Sequence, residues 1–582
     1  MGIATVLLER GLITREQLEL ALAEHKATGE RLDHTLVRLG MVSPSQVTRA
    51  IGEQFDMPIV DLATIDVEPQ VLAALPSQIV FRQRCVPIAR LGGPLGSGPP
   101  RLRIATSDPF ELTVFDELRL LTNCAIELVL AEEEDLREFI RRHYGVGGDT
   151  LDAMSRSAGA RDADQAYETG EHAADDAEMA QEASVIKLVN DLMVEAVSAR
   201  ATDIHIEPYE HKLIVRFRVD GVLQRAQVPP SINQFAAAII SRIKIMANLN
   251  IAEKRRPQDG RISLRAKGET FDLRVSVIPM LFGEGVVLRV LNKTAVLMGL
   301  EDLGMPAEVL TRWDRLISKP HGILLVTGPT GSGKSTTLYA SLNRIVSEEI
   351  KAVTIEDPVE YHVNGVNQIQ VNHKLGLDFA SGLRAVLRHD PDVILIGEIR
   401  DKETAEAAVQ SSLTGHVVFS TLHTNDAAGA MPRLLDMGVE PYLVASSIEG
   451  VMAQRLVRRV CRHCACEQTP EPHEIPDDFL AYHRSRAETA GHAVAVAEPP
   501  MLMRGRGCKA CLNTGYRGRI GVYELMVVSD HARDMVMRRA NATQIARAAL
   551  EEGNLSILRH DGYAKAIAGM TTIAEVLRVA RQ

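Results

Sequence analysis

At 582 residues the chain is too long for a single hydrophobic core, and its 46% hydrophobic and 24% charged composition is that of an ordinary globular protein of three or four domains. The net charge is −11, of which residues 146–182 supply −8 through ten Asp/Glu against two Arg; the near-neutral remainder argues against nucleic acid as the main partner. No window of about eighteen apolar residues occurs, and the first residues lack a basic leader with a cleavage site, so a cytoplasmic protein is expected, with its seven cysteines as thiols or metal ligands rather than disulfides.

The first segment, 1–57, contains a duplication. Leu7-Leu8-Glu9-Arg10-Gly11-Leu12-Ile13 is echoed 29 residues later by Leu36-Val37-Arg38-Leu39-Gly40-Met41-Val42. Each copy then opens a helix with a capping-box pattern, Thr14 with Gln17 and Ser43 with Gln46, the second with Pro44 at the first helical position. Apolar faces Leu18/Ala21/Leu22 and Val47/Ala50/Ile51 predict two copies packed into a small helical module. Residues 58–145 read as an α/β continuation of this domain, with Gly92–Pro100 as a loop. Residues 146–183, acidic and poor in large apolar side chains, are expected to be a disordered linker.

A second domain, 184–294, is predicted from helix Val185–Arg200, strand Leu213–Val219, turn Asp220-Gly221, helix Ile232–Ala247 and further strands. Its arginines gather near turns, in Arg216-Phe217-Arg218 and Arg255-Arg256-Pro257-Gln258-Asp259-Gly260-Arg261. Guanidinium groups delivered across a domain or subunit boundary can stabilise a transferring phosphoryl group, although spacing alone favours surface pairing with carboxylates.

The third domain, 295–582, carries the chemistry. Gly328-Pro329-Thr330-Gly331-Ser332-Gly333-Lys334-Ser335 follows the buried-strand run Ile323–Val326 and precedes a helical stretch from Thr336. Strand, glycine-rich loop, Lys-Ser and helix together form a polyphosphate cradle: backbone N–H groups point inward, Lys334 reaches the terminal phosphates and Ser335 ligates Mg²⁺. Thr354–Tyr361 places Glu356, Asp357 and Glu360 after another short strand, and Val393–Glu398 is a buried strand ending in a carboxylate. Glu356, Glu360 or Glu398 could position water or complete a metal shell. In Thr414–Asn425 two histidines bracket an apolar strand, and His423 at its end is a candidate γ-phosphate sensor. The pairs Cys461/Cys464 and Cys508/Cys511 are separated by 43 residues, the insert Glu467–Pro500 accounting for the distance. Four thiolates suit a tetrahedral Zn²⁺ knuckle spanning 461–511, with His463 and Cys466 as spare donors. Cys85 and Cys124 are expected merely to be buried.

From about residue 184 to the end these motifs resemble the secretion ATPase family of type II secretion and type IV pilus assembly. Gly328–Ser335 looks like its Walker A loop, Thr354–Tyr361 like its Asp box, Ile394–Asp401 like its glutamate-bearing Walker B, and Thr414–Asn425 like its His box. The resemblance implies an α/β fold with a RecA-like P-loop ATPase core, a PAS-like second domain, a small N-terminal helical and α/β module, and the zinc knuckle. It implies a homohexamer that hydrolyses ATP with Mg²⁺, arginine fingers among Arg216, Arg218, Arg261 and Arg274, residues 328–336 including Thr336 around the nucleotide, and attachment to the inner membrane through a platform protein. The duplicated N-terminus resembles the tandem cyclic-di-GMP module of some of these ATPases. That module has an Arg-Leu-Gly start and a final Gln in each copy; here the copies read Gly2-Ile3-Ala4 to His25 and Arg31-Leu32-Asp33 to Gln54. Type II secretion is the reading preferred from Ile251–Arg255 and Ser412–His416, with a pilus-assembly motor, a hexameric nucleic-acid motor and a non-hydrolysing nucleotide binder as rivals.

Overall fold

The computed structural model describes residues 3–28, 31–92, 100–110, 112–145, 150, 183–266, 268–292, 298–489 and 500–580. The expected linker at 146–183 therefore lies outside the described residues, apart from Thr150 and Ala183. The chain divides into two compact units, Met1–Leu291 and Asn292–Gln582.

In the first unit the duplication folds twice the same way. Helices Ile3–Glu9 and Leu32–Arg38 end at Gly11 and Gly40, both left-handed at φ 65° and 68°. Leu12 N–H donates to Leu7 O and Met41 N–H to Leu36 O, the Schellman closure in each copy. Both capping boxes form: Gln17 N–H donates to Thr14 Oγ1 at 3.2 Å and Gln46 N–H to Ser43 Oγ at 3.3 Å, with each glutamine reaching back. Leu7, Ala21, Leu36, Val47, Ala50 and Ile51 share one core. Leu22, expected in it, is exposed, because a helix turns it about 100° away from Ala21. Three strands, β1 (Cys85–Leu91), β2 (Arg101–Thr106) and β3 (Ala125–Leu130), follow, and Leu130 of β3 joins the core of the helical repeat.

The same unit holds a six-stranded sheet of β4 (Ala201–Tyr209), β5 (Lys212–Val219), β6 (Val222–Arg225), β7 (Gln258–Ala266), β8 (Glu269–Met280) and β9 (Gly283–Asn292), in the order β6-β5-β4-β9-β8-β7. Asp220 and Gly221 both take positive φ, so the Asp-Gly pair closes the β5–β6 hairpin as read from sequence. Helices Ala183–Ser198 and Ala236–Met246 cover one face. The helix expected from Ile232 begins as a 3₁₀ turn, Pro230–Phe235, in which the Asn233 side-chain Oδ1 accepts from Leu213 N–H at 2.7 Å and so ties the turn to β5. Beneath it Lys244, fully buried, donates to Glu284 Oε1 at 2.7 Å and Glu253 O at 2.8 Å.

The second unit is built on a seven-stranded sheet. Its strands are β10 (Gly322–Thr327), β11 (Ala352–Glu356), β12 (Val366–Gln370), β13 (Val393–Ile396), β14 (Val417–Leu422), β15 (Ile448–Val460) and β18 (Tyr516–Val527), ordered β12-β11-β13-β14-β10-β15-β18. All neighbours are parallel except β18 on β15. Helices cover both faces. Along β10, Ile323 and Leu325 enter one core while Leu324 and Val326 enter the other, which is why the strand reads as an unbroken apolar run. A two-stranded ribbon, β16 (Ala465–Gln468) with β17 (Leu502–Gly505), is inserted between β15 and β18.

Candidate functional site

Parallel strands deliver their carboxyl ends to one edge of the sheet, where loops can gather ligand groups. The loop after β10, Glu356 at the end of β11, Glu398 after β13 and His423 after β14 all meet at this edge. Gly328, Gly331 and Gly333 adopt φ of 146°, 79° and 91°. A Cβ at Gly328 would lie 2.6 Å from Gln454 O and one at Gly333 would lie 2.7 Å from Gln454 Nε2, so both positions require glycine. The helix Lys334–Ile345 starts directly behind the loop, two residues earlier than the sequence suggested. Lys334 Nζ donates to Gly328 O at 2.8 Å and Pro329 O at 3.2 Å. Burial holds its pKa below the ordinary lysine value, opposed by the charge of Glu398. Ser332 Oγ is buried without a hydrogen-bond partner, and the Ser335 hydroxyl is exposed in the first helical turn. An orphaned hydroxyl, an exposed one and an ammonium turned inward suit a loop that wraps a metal-bound polyphosphate.

Glu398 is placed by its neighbours' backbone. Gly397 N–H donates to Ile355 O of β11, Thr421 Oγ1 of β14 donates to Gly397 O, and Ile399 N–H donates to Thr421 O. Its carboxylate pairs with Arg400 and lies 3.2 Å from His423 Nε2. Burial pushes the Glu398 carboxyl up, but Arg400 and His423 outweigh it and hold it below the usual value, so it stays ionised. His416, the other histidine, sits at the far end of β14 and bonds Ser411 O and Thr414 Oγ1, a helix-closing role.

Glu356 is buried, and its carboxylate accepts from Tyr339 Oη, from Thr354 Oγ1 at 2.6 Å and from Gln368 Nε2 at 3.1 Å. Glu360 is half-buried, and its N–H donates to Tyr339 Oη at 3.4 Å. Tyr361 packs edge-on against Tyr339, and burial raises its phenol despite a bond to Thr336.

In the first unit, the arginines read from sequence share one face of the six-stranded sheet. Arg261 of β7 stands opposite Arg274 of β8, and both line a cleft of about 460 Å³ with Asp203, Asp259 and Arg289. Arg218 and Arg289 flank Asp203, at 3.6 and 3.2 Å, and Arg216 pairs with Glu207. In the N-terminal module Arg31, the only arginine at a repeat start, is clasped by Asp33 and Asp108 and lies over Phe110 at 4.7 Å.

The four cysteines of the two pairs converge. Their sulfurs lie within 4.8 Å of one another, with contacts of 3.7–3.8 Å. Four sulfurs around one Zn²⁺ at about 2.3 Å stand about 3.8 Å apart, so the cage fits that ion. Cys508 N–H and Gly515 N–H donate to Cys511 Sγ at 3.1 and 3.3 Å. The knuckle closes because Gly505 and Gly515 pass in backbone contact; a Cβ at Gly505 would lie 2.0 Å from Gly515 O. Cys466 instead donates to Arg504 O and His463 faces Arg517, so neither joins the cluster. Cys85 and Cys124 are buried.

Three groups beside the loop were not singled out in the sequence: Arg400, Gln454 and Arg455. Gln454 accepts from Thr337 Oγ1 at 2.7 Å, and Arg455 follows it on β15. Arg400 follows β13, and Gln454 and Arg455 lie in β15 just past its pairing with β10, neighbourhoods that the sequence does not reveal.

The family model described as "Type II/IV secretion system protein" matches residues 178–578, and the MshEN domain model matches 55–150. The chain is 40% identical to the type IV pilus assembly ATPase PilB of Myxococcus xanthus, covering 98% of this chain and 97% of that one. It is 41% identical to the type II secretion system protein E of Xanthomonas campestris pv. campestris, covering 99% and 98%. With the type II secretion system protein E of Pseudomonas aeruginosa it is 51% identical over 70% of this chain and 77% of that one.

Proposed function

Because the chain belongs to the type II/IV secretion system protein family and is a secretion or pilus-assembly ATPase, we propose that it is a homohexameric motor whose ATP hydrolysis drives pseudopilus assembly for type II secretion. The observation that carries this reading is the convergence of Lys334, Glu398 and His423 on one sheet edge. The loop 328–336 cradles the triphosphate of ATP. Lys334 offsets charge on the β and γ oxygens, and Ser335 ligates Mg²⁺, which neutralises phosphate charge when bound. Glu398, kept ionised by Arg400 and His423, orients the attacking water. His423 stands where it can report whether the γ-phosphate is in place. Glu356, with its acceptors engaged, braces the Asp box rather than holding water. Arg261 and Arg274 of a neighbouring protomer stabilise charge in the transition state, while Arg216 and Arg218 are held in ion pairs with Glu207 and Asp203.

Cys461, Cys464, Cys508 and Cys511 hold a structural Zn²⁺. The N-terminal module couples the motor to an inner-membrane platform protein from the cytoplasmic side; among the described residues no helix is long and apolar enough to cross a membrane itself. Cyclic-di-GMP is disfavoured as its ligand at the repeat start, because Arg31 is already neutralised by two carboxylates. A pilus-assembly role is the second reading, carried by the end-to-end match to PilB. Lys334→Ala is expected to abolish turnover, by about a hundredfold or more, with folding intact. Near-wild-type phosphate release from that variant would overturn the assignment. Co-purification of the cognate membrane platform distinguishes secretion from pilus assembly.

A further inference from the structure

β15 runs beside β10 on the side away from Glu398, so that Ala453 pairs with Thr327, the last residue before the phosphate loop. The next two residues of β15 therefore overhang the loop. Arg455 Nη1 lies 2.9 Å from where a Cβ on Gly328 would stand, and Lys334 Nζ bonds the carbonyl of the same glycine. Two cations from separate elements thus meet at Gly328.

The Arg455 guanidinium is half-buried yet has no ion pair among the described residues. Nη1 donates to Gln454 O at 3.1 Å, and Nη2 donates to Asn425 O at 2.9 Å and Asn425 Oδ1 at 3.4 Å. All three acceptors are neutral, which leaves the full positive charge in place. Three bonds also leave two of its five N–H donors, including Nε–H, available. The nearby carboxylates, Glu524 and Asp426, attract it only at longer range, and each already accepts from a backbone N–H, of Ala427 and Gly429. Burial lowers the pKa of both Arg455 and Lys334, and each cation would be relieved by an anion between them.

We propose that Arg455 is a second phosphate-binding cation of the nucleotide site, supplied by the same chain as the loop and seated on its first glycine. This rests on the reading of 328–335 as the nucleotide loop. A magnesium triphosphate keeps net negative charge, and Lys334 offsets only part of it. The arginines of a neighbouring protomer act only in the assembled ring, whereas Arg455 is present in every protomer. It also bonds Asn425, the last residue of the His-box segment, so phosphate contact and His-box position share one side chain.

The test compares Mg·ADP and Mg·ATP binding by calorimetry in full-length wild type, Arg455→Met, Arg455→Lys and Lys334→Ala. Arg455→Met is expected to weaken both nucleotides by about tenfold or more. Its nucleotide-free melting temperature should stay near wild type, and Arg455→Lys should regain most of the affinity. Wild-type affinity in Arg455→Met would overturn the proposal. So would equal losses of affinity and thermal stability in the Met and Lys variants, the mark of a side chain that only ties loops together. If wild type itself bound neither nucleotide, the loop reading would fall first and this inference with it.

Discussion

Glu356 ends β11 and Glu398 follows the neighbouring β13, and their surroundings differ. Glu356 accepts from a phenol, a hydroxyl and an amide, all on its own side of the sheet. Glu398 faces two cationic or titratable groups and lies within electrostatic reach of Lys334. Removing an acceptor that satisfies two buried donors and a partly buried one costs stability; removing an ionised group that faces substrate costs rate. Glu356→Gln is therefore expected to lower the unfolding free energy by about 2 kcal/mol in denaturant titration. Glu398→Gln should retain ATP binding and lose turnover by about a hundredfold or more. The reverse pattern, an inactive Glu356→Gln of normal stability beside an active Glu398→Gln, would exchange their roles. The sequence left Glu356, Glu360 and Glu398 as equals, because Tyr339 and Gln368 reach Glu356 only through the fold. Arg455 was hidden for the same kind of reason: the order of strands, not the order of residues, brings it to Gly328.

At the scale of elements, local chemistry was legible wherever one segment dictates its own shape. The repeated Gly and capping-box residues of the N-terminal helices, the Asp220-Gly221 hairpin and the order strand, loop, helix around 328–335 formed as read, although that helix starts two residues earlier. The 3₁₀ start at Pro230 and the exposed Leu22 were not legible, since each depends on a partner across the fold or on the rotation of a whole helix. The terminal helix Ile573–Val579 offers a pH-dependent test of such a contact. Glu575 is buried and accepts from Arg458 at 2.6 Å and Arg578 at 2.8 Å, which fastens the helix to β15. Burial pushes its carboxyl up, but the two arginines outweigh it and bring the pKa down to about 2 from an ordinary 4.5. A carboxyl depressed in the fold stabilises it above the unfolded value, and that contribution drains away as pH falls through the folded one. Glu575→Gln should cost on the order of 2 kcal/mol at pH 7, after allowing for solvent screening of the half-exposed Arg578. The gap between variant and wild type should close between about pH 4.5 and pH 2. A gap that stays constant across that range would mean the ion pairs do not carry the contact.

At the scale of the whole molecule, the proposed mechanism draws on both compact units. The second holds the loop, Glu398 and His423; the first holds Arg261 and Arg274 on one sheet face. The proposed ring brings these two groups of residues together between protomers. This division could not be read from spacing, which favoured surface pairing for the arginines; two of them, Arg216 and Arg218, do sit beside carboxylates. The most direct measurement is the steady-state ATPase rate of rings co-assembled from equal amounts of two differently tagged chains, one Lys334→Ala and one carrying Arg261→Ala with Arg274→Ala. Each variant alone should be inactive. In the mixed ring about a quarter of the sites would combine an intact loop with a neighbour's intact arginines, so phosphate release should recover to about a quarter of wild type. Mixed rings that assemble yet hydrolyse no more ATP than either parent would contradict a site shared between neighbouring chains.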